Sequence, residues 1–443
     1  MNKKKKSLIR KPNIITRKIK GLNIILDYEN SSVIEFNEIA SLIWDLSISE
    51  NTIDTLVYEI LKRYNVDKSI VVQDTYNFFS KHRELFIDPK RENRSESKIA
   101  INDVIADQLE KIGKKYTIPV FTDIELTQSC SLRCVHCNVV KTKEPDLKKE
   151  ELIDIISQLE SIGCFVLTFT GGEIFTRRDI LDILIYADSR KFAINLLTSA
   201  SNLSFDQIDT ISNLKINNVQ VSIYSTDSEV HDDITQIKGS FSRSIKNIEL
   251  MLAKNINVTI SCVIMNKNLL HYKSVETLAK KIGAKFATGY PIRARDDGST
   301  DNFKFRLSEK EIYCFFKDYA ERFLKGFKRN LDDQICHAGN SICMIRSKGE
   351  ILPCIIFPSK INFGNLRQNR FEEIWNNSEE LIKFRNLKLK DTYKCKKCDL
   401  MNYCQICPGL SLLEEGDLLA PAKINCLTAN SISKILNFNK KGD

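Results

Sequence analysis

Several features common in other protein classes are absent from this 443-residue sequence. No stretch approaches the ~18 consecutive apolar residues of a membrane-spanning helix, so no membrane association is expected. The N-terminus is basic, but no apolar segment follows it. It therefore lacks the pattern of a secretory signal, and a cytoplasmic location is expected. The five histidines are scattered and form no H-E-x-x-H pattern, which disfavours a histidine-bound metal.

The net charge of +9 is modest for this length. Part of it lies in the first twenty residues, which contain no acidic residue. We interpret this stretch as a solvated tail, and attraction of an acidic peptide or of nucleic acid is the alternative. Because no nucleic-acid-binding motif is present elsewhere, no nucleic-acid partner is expected.

Residues 13–88 have the pattern of a small α+β domain. Three short strands separated by turn residues are followed by three amphipathic helices. The predicted strands are Ile14–Ile19, Leu22–Asp27 and Ser32–Phe36; the helices follow Asn37, follow Asn51 or Thr52, and span Asp67 to about Leu85. This order is typical of a winged-helix-like domain. Residues 89–119 are charged and weakly periodic at first, and are predicted to be a linker.

Strands and helices alternate from Phe121 onward. Apolar strands are predicted to begin near residues 121, 164, 192, 218, 257 and 285, with helical patterns between them. Such alternation indicates a parallel sheet with right-handed crossovers. The fold class is therefore α/β, with a partial (β/α)6 barrel over residues 120–330. Sites on parallel barrels lie at the C-terminal ends of the strands.

Three cysteines in a C-x3-C-x2-C arrangement, Cys130, Cys134 and Cys137, directly follow the first barrel strand. Because fourteen cysteines in a cytosolic protein favour metal or redox chemistry over disulfides, these thiols are candidate metal ligands. An iron–sulfur cluster normally takes four thiolates. A triplet of thiolates therefore leaves one iron of the cluster with an open coordination position for chemistry. The alternative is a zinc site whose fourth ligand lies elsewhere in the sequence.

The triplet resembles that of radical S-adenosylmethionine (SAM) enzymes, in which SAM fills the open iron. Thr170-Gly-Gly-Glu173, after the second strand, is similar to their amine-binding motif. The resemblance also implies contacts to SAM from residues near other strand ends. The implied cofactor-binding residues are His136, Gly171, Gly172, Glu173, Ser222 and Arg243. His136 also fits a buried structural histidine, and an arginine common in the family is replaced by Thr235-Gln236.

Eight further cysteines lie between residues 336 and 426, a segment poor in long periodic patterns. Such a segment is expected to fold around metal. Eight thiolates equal two four-cysteine sites, which fit two [4Fe–4S] clusters or two zinc ribbons. The order and gaps resemble the SPASM domain, which we assign to residues 331–430. The resemblance implies auxiliary cluster I on Cys336, Cys343, Cys354 and Cys407, and auxiliary cluster II on Cys395, Cys398, Cys404 and Cys426.

The N-terminal domain resembles the RiPP recognition element, the PqqD-like fold that adds the leader of a precursor peptide as a strand to an exposed sheet edge. A generic winged-helix or dimerisation domain is the alternative. The whole chain is similar to radical SAM/SPASM peptide maturases, particularly the subtilosin-type sactisynthases. The resemblance implies reductive cleavage of SAM, hydrogen abstraction from a precursor peptide and formation of a thioether.

Other outcomes remain open for the same cofactors. They are peptide epimerisation, carbon–carbon crosslinking, and oxidation of a protein residue as in sulfatase maturases. A zinc-binding DNA regulator is the alternative from a different class. The radical SAM hypothesis also implies an electron donor such as flavodoxin or ferredoxin.

Overall fold

The computed structural model describes residues 9–11, 13–47, 52–87, 101–324, 329–358, 361 and 363–439. Within these ranges the chain forms an N-terminal α+β domain, a parallel α/β sheet and a cysteine-rich C-terminal segment. No helix in this part of the chain is long and apolar enough to cross a bilayer.

The N-terminal domain has the predicted three strands followed by three helices. Asn37 and Thr52 cap the first two helices with their side chains, as their positions in the sequence indicate. A small additional ladder joins two short strands at the domain's ends. The elements are β1 (Ile9–Arg10), β2 (Ile14–Ile19), β3 (Leu22–Asp27), β4 (Ser32–Glu35), α1 (Glu38–Leu46), α2 (Ile53–Arg63), α3 (Lys68–Lys81) and β5 (Phe86–Ile87).

The antiparallel sheet β2-β3-β4 buries both of its faces. Successive strand residues point to opposite faces, so Ile24 and Leu26 face the barrel, whereas Ile25 faces helices α1–α3. Helix α4 (Asp103–Tyr116) lies within the predicted linker and packs beside the barrel-facing side of the sheet. The first part of that linker, residues 89–100, lies outside the described residues.

Six parallel strands form the barrel sheet, in the chain order predicted from the alternating pattern. Their observed starts lie within two residues of the predicted ones. The strands are β6 (Phe121–Thr127), β7 (Val166–Gly171), β8 (Ala193–Thr198), β9 (Ile216–Ser222), β10 (Val258–Val263) and β11 (Lys285–Gly289). The helices between and after them are α5 (Lys149–Ser161), α6 (Ile180–Ser189), α7 (Phe205–Ser212), α8 (Ser228–Thr235), α9 (Ser240–Ala253), α10 (Tyr272–Ile282) and α11 (Glu309–Leu324).

The C-terminal segment continues the barrel sheet, which the sequence did not predict. Strand β12 pairs in parallel with β6, and β13 pairs with β12 as a hairpin. Phe357, Trp375 and Phe384 are buried in the same apolar core as the barrel helices, so this segment does not rely on metal alone. Its elements are β12 (Ile342–Ile345), β13 (Ile351–Leu352), α12 (Phe371–Asn377), α13 (Glu379–Arg385), α14 (Pro408–Glu415) and α15 (Lys423–Asn439).

Arg17 of β2 fastens the N-terminal domain to the barrel. Its side chain is buried and donates hydrogen bonds to the carbonyl oxygens of Cys164 (2.6 Å), Arg190 (3.1 Å) and Lys191 (3.2 Å). These carbonyls lie just before β7 and β8, at the N-terminal ends of the barrel strands. The prediction of a solvated basic tail is therefore wrong for Arg17, because its guanidinium pairs with backbone acceptors instead of water.

Candidate active site and cysteine sites

A cavity of about 530 Å³ opens at the C-terminal ends of the barrel strands. The parallel register brings the ends of β7, β8, β9 and β10 to the same side of the sheet, next to the cysteine loop that follows β6. The predicted site residues that line the cavity are Cys130, Cys134, His136, Cys137, Gly171, Gly172 and Ser222. Their convergence is the geometry that a site at this end of a barrel requires.

The three thiols of the loop share a poorly hydrated environment. Burial, followed by the charges of Cys137 and Cys130, raises the pKa of Cys134 to about 12. Burial also raises the pKa of Cys130 and that of Cys137. A bound cation compensates such thiolates, because metal ligation deprotonates a thiol outright. The donor set and the size of the cavity therefore fit an iron–sulfur cluster with a bound small molecule.

Two glycines bring the β7 turn against the cysteine loop. A Cβ atom on Gly171 would lie 2.3 Å from the carbonyl oxygen of Thr127, and one on Gly172 would lie 2.3 Å from that of Ser129. Gly171 also has a φ of +145°. The Gly-Gly pair therefore permits the backbone approach that forms this wall of the cavity.

Glu173 is fully buried beside the cavity. Its carboxylate accepts hydrogen bonds from the hydroxyl of Thr198 at 2.7 Å and from the backbone N–H of Ser199 at 2.8 Å. Thr198 and Ser199 end β8 and line the cavity. In this structure Glu173 thus links the ends of β7 and β8 by hydrogen bonds. Its assignment as an amine ligand of SAM stays a prediction.

His136 packs edge-to-face on Tyr224, with ring centroids 5.0 Å apart. Its Nδ1 is buried without a hydrogen-bond partner among the described residues. Burial lowers the pKa of His136 to about 4, so the ring is neutral at neutral pH. The orphaned nitrogen is available to a bound molecule, which fits the predicted position near SAM.

Arg243 is the predicted site residue that the structure separates from this cavity. It is exposed on the first turn of α9, and its guanidinium donates to the carbonyl oxygen of Lys238. Its expected contact with the SAM carboxylate has no support in this geometry, because the Arg243 side chain extends from the first turn of α9 into solvent. Arg133, Lys141 and Arg295 supply the cationic side chains of the cavity instead.

Sequence reasoning missed Arg295, Ser199 and Tyr224. The polar pair Thr198-Ser199 at the end of a buried strand was a usable signal, because polar residues at that point face the strand-end site. Tyr224 lies two residues after the end of β9. Arg295 is in an irregular loop after β11, where no periodicity marked it.

Four of the eight C-terminal cysteines form one group. The charges of Cys426, Cys395 and Cys398 add to burial in raising the pKa of Cys404 to about 12. Burial, followed by the charges of Cys426 and Cys398, likewise raises the pKa of Cys395. These are the four residues predicted for auxiliary cluster II.

Cys336, Cys354 and Cys407 form a second group. Burial and the charges of Cys336 and Cys407 raise the pKa of Cys354, and burial raises the pKa of Cys407 to about 11. These are three of the four residues predicted for auxiliary cluster I. Arg329 lies beside both groups. Its guanidinium donates to the carbonyl oxygen of Cys404 at 3.0 Å. Burial lowers the pKa of Arg329, whereas the charges of Cys404 and Cys336 raise it.

Cys343 does not join that second group. It pairs with Thr122 in the β12–β6 ladder, and its Sγ lies 3.4 Å from the Thr122 hydroxyl, which also lies 3.4 Å from the Sγ of Cys164. This side of the sheet faces the helices and is fully buried. The geometry therefore gives no support to Cys343 as the fourth ligand of auxiliary cluster I, because its thiol lies in the apolar core, and that assignment stays a prediction.

No group of three or more His, Cys, Asp or Glu side chains is close enough to hold a single metal ion in the part of the chain that the structure describes. A cube of four irons places its thiolate ligands farther apart than one ion does.

Family comparisons agree with the geometry. The radical SAM superfamily profile matches residues 124–275, which include the triplet and the Gly-Gly turn. The chain is a radical SAM enzyme. The SPASM profile, described as an iron-sulfur cluster-binding domain, matches residues 336–408, and that of coenzyme PQQ synthesis protein D (PqqD) matches residues 23–85. The cofactors are thus a SAM-binding [4Fe–4S] cluster and auxiliary iron–sulfur clusters.

Curated relatives cover two thirds of this radical SAM chain. It is 26% identical to the antilisterial bacteriocin subtilosin biosynthesis protein AlbA of Bacillus subtilis over 309 residues, which are 67% of this chain and 68% of AlbA. It is 25% identical to the AdoMet-dependent heme synthase of Methanosarcina barkeri over 327 residues, 67% of this chain and 93% of the synthase. It is also 25% identical to the mycofactocin maturase MftC of Mycobacterium tuberculosis over 61% of this chain and 73% of MftC.

Solved structures share the fold. Streptococcus suis SuiB bound to precursor peptide SuiA has a TM-score of 0.67 at 16% identity, with coverage of 95% of this chain and 99% of SuiB. Native anSMEcpe with bound AdoMet has a TM-score of 0.55 at 18% identity, with coverage of 73% and 100%. The partial barrel with N-terminal PqqD and C-terminal SPASM domains is therefore the fold of this protein, and the DNA-regulator alternative is wrong.

Proposed function

We propose that this radical SAM enzyme modifies a ribosomally made precursor peptide and joins a cysteine sulfur of that peptide to a carbon of another residue as a thioether. The observation that carries the proposal is the combination of the strand-end cavity with a PqqD domain on the same chain. The relative AlbA acts in subtilosin biosynthesis by its name, which supports the thioether outcome.

The chain's own residues hold the cofactors in this proposal. When bound, the cluster and SAM supply reductive cleavage of SAM and, through it, hydrogen abstraction from an unactivated carbon. Cys130, Cys134 and Cys137 would hold the cluster. The Gly171-Gly172 backbone, Ser222 and His136, which line the same cavity, would contact SAM.

The auxiliary sites complete the cofactor assignment. We assign auxiliary cluster II to Cys395, Cys398, Cys404 and Cys426, and three ligands of auxiliary cluster I to Cys336, Cys354 and Cys407. Their mutual effects on thiol pKa support both groups.

The electron donor is proposed to be an acidic protein of the flavodoxin or ferredoxin class. Lys394, Lys396 and Lys397 are exposed beside the auxiliary cluster II cysteines. Clustered positive charge steers an acidic partner to this surface and speeds its association.

The N-terminal domain is proposed to capture the leader of the precursor. A groove of about 240 Å³ lies between α1, α2 and α3. Ile39, Tyr64, Val66 and Ile70 at this groove are each about half exposed. Adjacent exposed apolar side chains of this kind mark a protein-binding surface.

Anaerobic incubation with SAM, dithionite and the peptide encoded beside this chain's gene tests the function. A thioether is expected to remove two hydrogens from the peptide's mass and to protect one cysteine from alkylation. A carbon–carbon crosslink would remove two hydrogens and leave the thiol free, and an epimerisation would leave the mass unchanged in ordinary water. The variant with Cys130, Cys134 and Cys137 replaced by Ala is the matched control, and modification by that variant would contradict the proposal.

A further inference from the structure

The leader groove and the cavity lie at opposite ends of the molecule. The cavity is at the C-terminal ends of the barrel strands. The N-terminal domain packs on their other ends, where Val120, Phe165, Val166 and Ala193 join its apolar core. Strand β6 alone, with seven residues, places about 20 Å between the two ends of the barrel.

Further layers separate the leader groove from the barrel. Sheet β2-β3-β4 packs on the barrel base with one face and on helices α1–α3 with the other. The groove is lined by residues of these helices and of the loop between α2 and α3, and by no residue of the sheet among those described. A packed sheet and a packed helix layer each add about 10 Å.

Helix α4 packs against the outer edge of β4, so this edge does not offer the peptide a shorter route. Phe36 donates its backbone N–H to Asn23 across the sheet, and the antiparallel alternation therefore turns the N–H of Val33 outward. That N–H donates to the side chain of Gln108 on α4 at 2.7 Å. On the same strand, Glu35 accepts hydrogen bonds from Lys115 and Tyr116.

The groove selects an apolar peptide segment with a basic side chain. Ile43, Ile60 and Val71 form a buried apolar floor, and the two carboxylates that line the groove belong to Glu38 and Asp74. An apolar segment fills the floor, and a Lys or Arg beside it complements the carboxylates. The occupant is thus the leader of the precursor, bound by α1–α3.

We propose that this layer order sets a minimum spacing of about ten residues between the leader's groove-binding segment and the first residue that is modified. Groove and cavity are about 35 Å apart once the tilt of barrel strands is included. An extended chain spans at most about 3.5 Å per residue. The spacing is a lower limit, because the peptide must pass around the barrel wall. This inference rests on the proposed function.

The test uses precursor peptides whose spacer is shortened or extended with Gly-Ser residues, from four to twenty residues. The groove-binding segment is first mapped as the residues whose alanine substitution weakens binding to the intact enzyme, measured by fluorescence anisotropy. Initial modification rates at peptide concentrations below Kd are expected to fall at least tenfold when the spacer is six residues or shorter. A linker that cannot span two sites gives no gain from tethering.

Ile70→Asp and Ile185→Asp provide a matched pair, since both isoleucines are about half exposed on helices and Ile185 lies on α6, away from the groove. Ile70→Asp is expected to weaken peptide binding at least tenfold and to give one low rate at every spacer length. Ile185→Asp is expected to keep the length dependence of the natural enzyme. Rates within twofold at four and twenty residues, or an unchanged length dependence in Ile70→Asp, would overturn the inference. Peptide that binds through Ile70 and is modified at no spacing would instead refute the proposed function.

Discussion

The guanidinium of Arg295 donates a 2.8 Å hydrogen bond to the carbonyl oxygen of Cys137. A bidentate pair with Asp301 orients Arg295, at 2.6 and 3.0 Å. The neighbouring Asp296 donates its backbone N–H to the carbonyl of Asn138 at 2.9 Å. The loop after the last barrel strand therefore fixes the third cysteine of the triplet.

Replacing Arg295 should loosen this cysteine. Arg295→Gln is expected to lose its SAM cluster severalfold faster in the presence of a chelator, because the loop loses one charge-assisted hydrogen bond and its anchor. The measurement is the decay of the cluster's visible absorbance under anaerobic conditions. Arg243→Gln is the control and should match the natural protein, since Arg243 is exposed away from the cavity. Equal decay in all three proteins would argue against the anchoring role.

Two substitutions separate Cys343 from the auxiliary ligands. A chain with three four-iron clusters holds about twelve irons. Cys343→Ala is expected to retain them, at a stability cost of about 1 kcal/mol for the small cavity it leaves. Cys354→Ala is expected to lose up to about four irons. Iron analysis after anaerobic reconstitution decides this, with Cys164→Ala as the control for a buried thiol, and iron loss in Cys343→Ala would restore Cys343 as a ligand.

The Gly-Gly turn should tolerate no side chain. Gly172→Ala is expected to abolish SAM binding, because its Cβ would overlap the Ser129 carbonyl in the cysteine loop. Gly289→Ala is a suitable control, since the nearest atom to its Cβ would be a Val263 methyl carbon at 3.2 Å and the nearest backbone atom would lie at 3.7 Å. Equilibrium dialysis with labelled SAM measures the difference. Comparable affinities for the two variants would refute the close-approach explanation.

His231 should make the fold sensitive to acid. Burial lowers the pKa of His231 to about 4, and its neutral Nδ1 accepts the backbone N–H of Tyr224 at 3.2 Å. The contribution of neutral His231 to the free energy of unfolding is complete above the unfolded pKa of about 6.5. As the pH falls toward 4, up to about 3 kcal/mol of this contribution is lost. His231→Gln should flatten this part of the stability profile, measured by urea unfolding at several pH values. A parallel profile in the variant would show that other groups control the acid sensitivity.

The sequence predicted strands β2–β4 and the six barrel strands because burial follows local periodicity, whereas β1, β5, β12 and β13 were not predicted. Ile14 and Ile15 alternate between two cores, and β2 was predicted with its observed ends. Helices α7 and α8 have only eight residues each, so their apolar stripes are short and their bounds are hard to predict. The cavity triplet was found because a single loop carries all three thiols.

The remaining features depend on tertiary contacts that local patterns do not encode. The cysteine order predicted how many auxiliary ligands there are. It could not predict that the Cys343 thiol lies in the apolar core, because the segment Ile342-Cys-Met-Ile345 is apolar on both sides of its strand. Arg17 has the same local pattern as solvated basic residues, and its backbone partners are more than 140 residues away. The packing of α4 against β4 likewise could not be predicted from local pattern, because it depends on how the N-terminal domain packs on the barrel.

The Arg17 hydrogen bonds and the shared apolar core couple the stability of the N-terminal domain to that of the barrel. A fragment that starts at Val120 would expose Phe165, Val166 and Ala193 to water and leave three carbonyls without their arginine partner. Such a truncated catalyst is expected to self-associate during expression. The N-terminal domain is therefore part of the structural support of the barrel, and we expect that exchanging it for another domain would destabilise the barrel.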